Sequence, residues 1–170
     1  MKLRLEATYP FMEAEDVFNL LGDLKTRMKV DDRFESAEIL DEKDDCIVFY
    51  HKSKKPPIPM VSAREMLYAH YKQQDGMGEG KHFICSQSVE HPSKPIKTGL
   101  TDDVRAKIKF GGAVFFENPD GAGTKTLEFR DFDFGGNIPG PAIAKMSDGM
   151  PVKSFQNNTG LIKKRLEGDI

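Results

Sequence analysis

Arg64 opens the run Arg64-Glu65-Met66-Leu67-Tyr68-Ala69-His70-Tyr71. In an extended strand successive side chains face opposite ways, so Arg64, Met66, Tyr68 and His70 share one face and Glu65, Leu67, Ala69 and Tyr71 the other. Both faces mix apolar and polar groups, so periodicity leaves open which of them turns inward. Facing inward, a guanidinium can hold two phosphate oxygens with its planar fork; facing outward, it pairs with a carboxylate and holds the loop before the strand. His51 and His70 can each bond a hydroxyl, carbonyl or phosphate oxygen while neutral, or sit as satisfied core histidines. Ser86 and Ser88 share one face of another extended run, where they could reach polar ligand atoms or simply line a partly polar strand.

Other chemistry is excluded by spacing. The four histidines, at 51, 70, 82 and 91, lack metal-ligand spacing. Cys46 and Cys85 form no CxxC pair and lie in apolar stretches, which reads as reduced thiols. Gly76-x-Gly78-x-Gly80-Lys81 fits neither the P-loop nor the dinucleotide fingerprint and joins two strand candidates, as a hairpin loop does. No GxSxG elbow occurs. Asn157-Asn158-Thr159 spells a glycosylation sequon inside a helical segment, and Lys163-Lys164-Arg165 reads as a solvated helix end. These absences predict no catalytic residues, no metal and no cofactor.

The elements that must position these groups follow from patterning. The chain has 170 residues, one domain's length, with 25 Lys+Arg against 27 Asp+Glu. That balance argues against nucleic acid as a partner. No apolar run approaches the roughly eighteen residues of a membrane span, and the N-terminus alternates instead of forming a signal peptide. The expectation is a cytoplasmic protein. Residues 2–9 alternate as a strand, and Pro10 opens a helix with the stripe Val17, Phe18, Leu20 and Leu21. A polar region, 25–44, carries only Phe34, Ile39 and Leu40 as anchors. Strands are predicted over 45–52, 61–73, 81–90, 103–110, 112–118 and 124–133, with short connections that favour an antiparallel meander. After Gly135-Gly136, the residues Ile143, Met146, Met150, Phe155, Ile162 and Leu166 recur at helical spacing, with a kink or break expected at Pro151. A long sheet needs its apolar face covered, and this helix is the large element left to cover it. Methionines at 66, 146 and 150 fall on candidate inner faces, where Met either fills core gaps or lines an adaptable binding surface.

Six motifs in register resemble one family. Val61-Ser62-Ala63-Arg64-Glu65-Met66-Leu67 is similar to its Arg-Asp-Phe strand opening, and Ser86-Gln87-Ser88-Val89-Glu90-His91-Pro92 to its Ser-rich strand end. Gly99 with Val104-Arg105-Ala106 resembles its Gly…Val-Arg-Ala strand, and Gly111-Gly112 its next hairpin. Asp133-Phe134-Gly135-Gly136-Asn137-Ile138-Pro139 resembles the junction to its last helix, and Gly149-Met150-Pro151 an interior proline found in some members. Together they resemble the START (StAR-related lipid-transfer) domain. The resemblance implies an α+β helix-grip fold (START/Bet v 1-like), a curved antiparallel β-sheet wrapped around a long C-terminal α-helix. It spans residues 1–170 as a single START-like domain without the family's usual N-terminal helix and first strand region. The sheet edge those elements cover would then need charged residues or dimerisation.

The resemblance also implies a tunnel holding one lipid. It places Arg64 at a headgroup phosphate, as in phosphatidylcholine-carrying members. Sterol-type members bury an acid–arginine pair whose positions here fall on His51 and His70, which argues for a phospholipid rather than a sterol. The predicted lining is Phe49, His51, Arg64, Met66, Tyr68, His70, Val104, Ala106, Ile108, Leu127, Phe129, Ile143, Met146, Met150 and Phe155, with Phe49, Tyr68 and Phe129 as the aromatic walls open to a choline. The function expected is non-enzymatic lipid binding and transfer, with transient membrane contact through Lys52–Met60, where Ile58 and Met60 are apolar, and through Asp75–Lys81. The competitors are an enzyme on the same scaffold, of cyclase or hydrolase type with His51 or His70 as base, and a lipid-sensing regulatory module.

Overall fold

The alternating N-terminus forms β1 (Lys2–Tyr9) in the computed structural model, whose described residues are 1–57, 61–96 and 104–170, without the side chains of 145–148 and 150. After Pro10 the chain turns into α1 (Ala14–Gly22), which buries Val17, Phe18, Leu20 and Leu21, the stripe read from spacing. Glu15 and Asp16 sit in its first turn, where carboxylates favour the helix dipole.

The polar region holds more than the sequence indicated: a short helix, α2 (Leu24–Val30), and a strand, β2 (Phe34–Lys43). Asp23 caps α2 by accepting from the Lys25 amide at 2.9 Å and from the Thr26 hydroxyl at 2.6 Å. β2 is an edge strand, half-buried or exposed along its whole length, so no apolar alternation marks it. β3 (Cys46–Ser53), β4 (Arg64–Gln73) and β5 (His82–Ser88) follow close to expectation.

The segment around Gly111-Gly112 departs from the sequence reading. In place of two strands joined by a hairpin there is a two-residue β6 (Val104–Arg105) and one long strand, β7 (Lys107–Glu117), which runs straight through both glycines. Gly111 and Gly112 pair with Ser86 and Cys85 on one side and with Arg130 and Phe129 on the other, so they are strand residues with neighbours close by. A register shift between Ile108 and Phe110 is the irregularity in this strand, and it swaps the inward parity from Ile108 to Gly111, Ala113 and Phe115.

β8 (Thr124–Asp133) completes an eight-stranded sheet among the described residues, ordered β1-β8-β7-β5-β4-β3-β2, antiparallel except that β6 runs parallel to β4. Long α3 (Gly140–Glu167) carries Pro141 in its first turn and ends on Gly168 in the left-handed conformation, with Lys164 and Arg165 in its last turn. Pro151 lies inside α3 without ending it. Two buried groups result. One joins α1, Tyr9, Phe115, Leu161 and Ile162; the other joins Leu24, Phe49, Tyr68 and Ile108. Among the described residues no helix is long and apolar enough to cross a membrane.

Candidate functional site

Between the sheet and α3 lies a cavity of about 540 Å³, within the roughly 300–1,000 Å³ of small-molecule sites. Its wall is built strand by strand from one face: His51 and Ser53 of β3, Met66, Tyr68 and His70 of β4, Ile84 and Ser86 of β5, Ile108, Gly111 and Ala113 of β7, and Glu128, Arg130 and Phe132 of β8. α1 and α2 add Leu21, Leu24 and Arg27; Arg33 and Phe34 come from the start of β2 and the turn before it. α3 closes the space with Gly149, Lys153, Ser154 and Asn158.

The structure thus brings together His51, Met66, Tyr68, His70 and Ile108 of the predicted lining and places Phe49, Arg64, Val104, Ala106, Leu127, Phe129, Ile143 and Phe155 outside it. Phe49 shares their strand face but is fully buried, against Tyr68 at 5.6 Å between ring centroids. Arg64 is buried beside the wall rather than in it. Its Nε donates to the Phe134 carbonyl at 2.7 Å and its Nη1 to the Ser62 carbonyl at 2.6 Å. Those bonds fix the chain before Gly135 and turn the guanidinium away from the space. Val104 packs against Gly135 and Gly136, and Ala106 borders a separate groove beside Leu67 and Ser88.

On β8 the inward parity is the polar one. Leu127 and Phe129 stand on the opposite face, where Phe129 is exposed and meets Arg4 at 6.0 Å. Thr124 and Thr126 take the inner positions because their hydroxyls reach the Met12 and Ala7 carbonyls. Ile143 and Phe155 of α3 are also exposed, although the Phe155 ring still stacks on Tyr9 at 5.7 Å. The side chains of Met146 and Met150 lie outside the described residues, as do Ile58, Met60 and Gly99.

The charged lining is mostly cationic, and sequence reasoning missed it. Arg27 and Arg33 both reach Asp31: Arg33 Nε donates at 2.7 Å, its Nη2 also bonds that carboxylate, and Arg27 Nη2 lies at 3.3 Å. Burial pushes the Asp31 carboxyl up, but the bonds and charges of the two arginines outweigh it and bring its pKa to about 2. With its amide oxygen turned toward Arg33, Asn157 of α3 accepts from Nε and Nη1, both at 3.1 Å. Across the cavity Arg130 donates to Glu128 and, at 3.0 Å, to Ser154. No motif marks these groups; the one available signal was the density of Arg and Asp in 27–33.

Both cavity histidines are held neutral. Burial, joined by the nearby charges of Arg27 and Arg33, lowers His51 to about 4. Burial brings His70 to about 4 as well, opposed by its bond to the Gly22 carbonyl at 3.2 Å and helped by Arg27 and Lys72. His70 is anchored at both nitrogens, since Nδ1 meets Ser86 Oγ at 2.9 Å. Tyr68 is raised to about 12 by burial, against the pull of Arg27 and Arg33. The arrangement is chemically a pocket with apolar walls and cations on two sides, able to seat an amphiphile. No cluster of His, Cys, Asp or Glu able to hold a metal occurs among the described residues.

Comparison with known proteins agrees with this architecture. Human STARD10 superposes with a TM-score of 0.81 at 20% identity, over 98% of this chain and 64% of that one. Human StAR-related lipid transfer protein 5 gives 0.77 at 19%, over 96% and 76%. A fragment (25–204) of the STAR-related lipid transfer protein from Xanthomonas axonopodis gives 0.70 at 22%, over 94% and 85%. No curated protein sequence matches. The chain spans less than two thirds of the STARD10 chain, and at these identities the likeness is one of fold. The START domain description itself matches residues 4–161, nearly the whole length, and with the sheet, the terminal helix and the cavity in place, the chain belongs to the START family of lipid-binding domains.

Proposed function

We propose that this chain is a non-enzymatic carrier that holds one lipid, of the phospholipid class, in the cavity between sheet and α3 and moves it between membranes. The observation that carries the reading is the cavity itself: about 540 Å³ lined by Leu21, Leu24, Met66, Ile108 and Phe132, with polar groups from α2, the sheet and α3 beside them. Apolar walls shelter acyl chains from water, while the polar groups replace the headgroup's hydration. Loading requires α3 or a neighbouring loop to move, and Gly135-Gly136, both at φ 63°, form the hinge before it. Met77, exposed at the β4–β5 hairpin, supplies an apolar tip for brief membrane contact.

Native mass spectrometry of freshly purified protein tests this. The expected result is one co-purifying lipid per chain. Met66→Trp, which fills the cavity from its wall, is expected to lower that occupancy by about tenfold with the melting temperature little changed. Unliganded protein that takes up no lipid from vesicles would remove the carrier reading.

A second reading, an enzyme on the same scaffold, draws on His51, whose Nδ1 is buried without a partner, and on a fold shared with the di-domain ARO/CYC BexL (TM-score 0.59, 10% identity, 96% of this chain and 49% of that one). Turnover of a bound ligand that His51→Ala abolishes would favour it.

A further inference from the structure

The cavity wall carries four cations, Arg27, Arg33, Arg130 and Lys153, against one carboxylate, Glu128, in a chain whose formal net charge is −2. Glu128 is bonded to Arg130, and behind the wall Asp31 is bonded to Arg33 and Arg27. Counting that second acid, four cations against two carboxylates leave a formal +2 around the space. Each side of the space carries half of that surplus: Arg27 and Arg33 against Asp31 where α2 and the turn before β2 meet β3, and Arg130 and Lys153 against Glu128 opposite.

Among the described residues, two buried polar atoms on the Arg27 and Arg33 side have no hydrogen-bond partner: Arg27 Nε and His51 Nδ1. His51 is itself only 8% exposed. Leaving such atoms unmet is unfavourable, more so for a charged group. The phenol of Tyr68 stands in the same wall, its ring centroid 5.9 Å from that of His51. A guanidinium N–H and a phenol O–H are donors, and Nδ1 of a neutral imidazole is one in the tautomer that carries its proton there, so an acceptor carrying negative charge suits the three together. A choline head would instead meet uncompensated cations, and both nearby carboxylates are already engaged.

Resting on the carrier reading, we propose that the guest is a lipid whose head bears a net negative charge, a phosphomonoester or a carboxylate, and that this oxyanion is seated at Arg27, His51 and Tyr68. Arg64, committed to the Phe134 and Ser62 carbonyls, takes no part.

Lipid-stripped full-length protein is incubated with phosphatidylcholine vesicles containing equal shares of phosphatidic acid, oleic acid and diacylglycerol, then reisolated and its lipid identified by mass spectrometry. The expected result is enrichment of phosphatidic acid, oleic acid or both by about tenfold over diacylglycerol and phosphatidylcholine, with the more enriched acid naming the head. In Arg27→Gln, and independently in His51→Phe, which keeps a ring against Phe34, that ratio is expected to fall toward one. Neutral or zwitterionic lipids loading as well as the acids, or a ratio unmoved in both folded variants, would overturn the anionic head and leave the carrier standing. No lipid uptake at all would bring down the carrier reading with it. A parallel arm with inorganic phosphate, read by phosphorus NMR line broadening, separates the sources: phosphate binding without lipid uptake would assign the site to a soluble anion and overturn the lipid head.

Discussion

At the scale of single residues, the arginines divide by what they bond. Arg64 commits its guanidinium to backbone carbonyls of two separate segments, Ser62 and Ala63 before β4 and Phe134 after β8. Arg64→Gln is therefore expected to cost about 1.5–3 kcal/mol of unfolding free energy, the worth of charged hydrogen bonds at a buried site. Urea denaturation measures that loss, and lipid selectivity in the same variant is expected to stay that of the parent. A tenfold loss of phospholipid at unchanged stability would return Arg64 to the headgroup role its place in the motif implied. Arg33 shows the opposite allocation. Its bonds to Asp31 and Asn157 tie β2 to α3 while its charge remains felt at His51.

At the scale of elements, the junction between β8 and α3 decides whether the cavity can open. Gly135 adopts φ 63°, and a Cβ placed there would stand 2.8 Å from the Arg105 carbonyl oxygen. That approach is against backbone, which cannot swing aside as a side chain would. Gly135→Ala is expected to destabilise the fold by at least about 1 kcal/mol, through left-handed strain and the displaced β6. A lower thermal midpoint together with slower lipid exchange would identify the junction as a hinge. A variant as stable and as fast as the parent would exclude it. Pro151 shows that packing and propensity can disagree: it removes one helical hydrogen bond, yet α3 continues past it, with Ser154, Asn158, Leu161 and Ile162 of the following turns buried.

For the molecule as a whole, the buried histidines set how stability depends on pH. In the unfolded chain His51 and His70 take up protons near pH 6.5, whereas burial in the fold keeps them neutral down to about 4. The unfolded state binds more protons across that interval, so stability is fully present above pH 6.5 and is lost as the pH falls toward 4. Each histidine contributes on the order of 3 kcal/mol to that loss. The groups facing His51 are Arg27, Arg33 and Asp31; those facing His70 are the Gly22 carbonyl, Arg27, Lys72 and Ser86. Asp31 acts in a lower window, its contribution present above its usual 3.8 and lost toward 2. Denaturation midpoints from pH 8 to 4 are expected to fall less steeply in His70→Gln than in the parent. Equal slopes would show that His70 does not carry the effect.

Much of the architecture was legible because it rests on local rules. Alternation marked β1, β3, β4 and β8, the apolar stripe marked α1, and Gly135-Gly136 with Pro139 and Pro141 marked the start of α3. Ordered motifs then named the family. The site was legible only in part. His51, Met66, Tyr68 and His70 alternate on strands whose inward face the motif fixed, but Leu127 and Phe129 look apolar enough to be core and face outward. Which face of a strand is inner depends on what closes over it, and β8 is covered by a helix whose inward residues are Ser154 and Asn158. The cations of α2 and of the turn before β2 escaped notice because a turn and a seven-residue helix carry no periodic signal. By itself the sequence determined most of the elements, their order and the family; the tertiary structure alone decided which polar groups share one cavity. Hydrogen bonds and charges between residues distant in the chain depend on three-dimensional proximity, which local patterning does not encode.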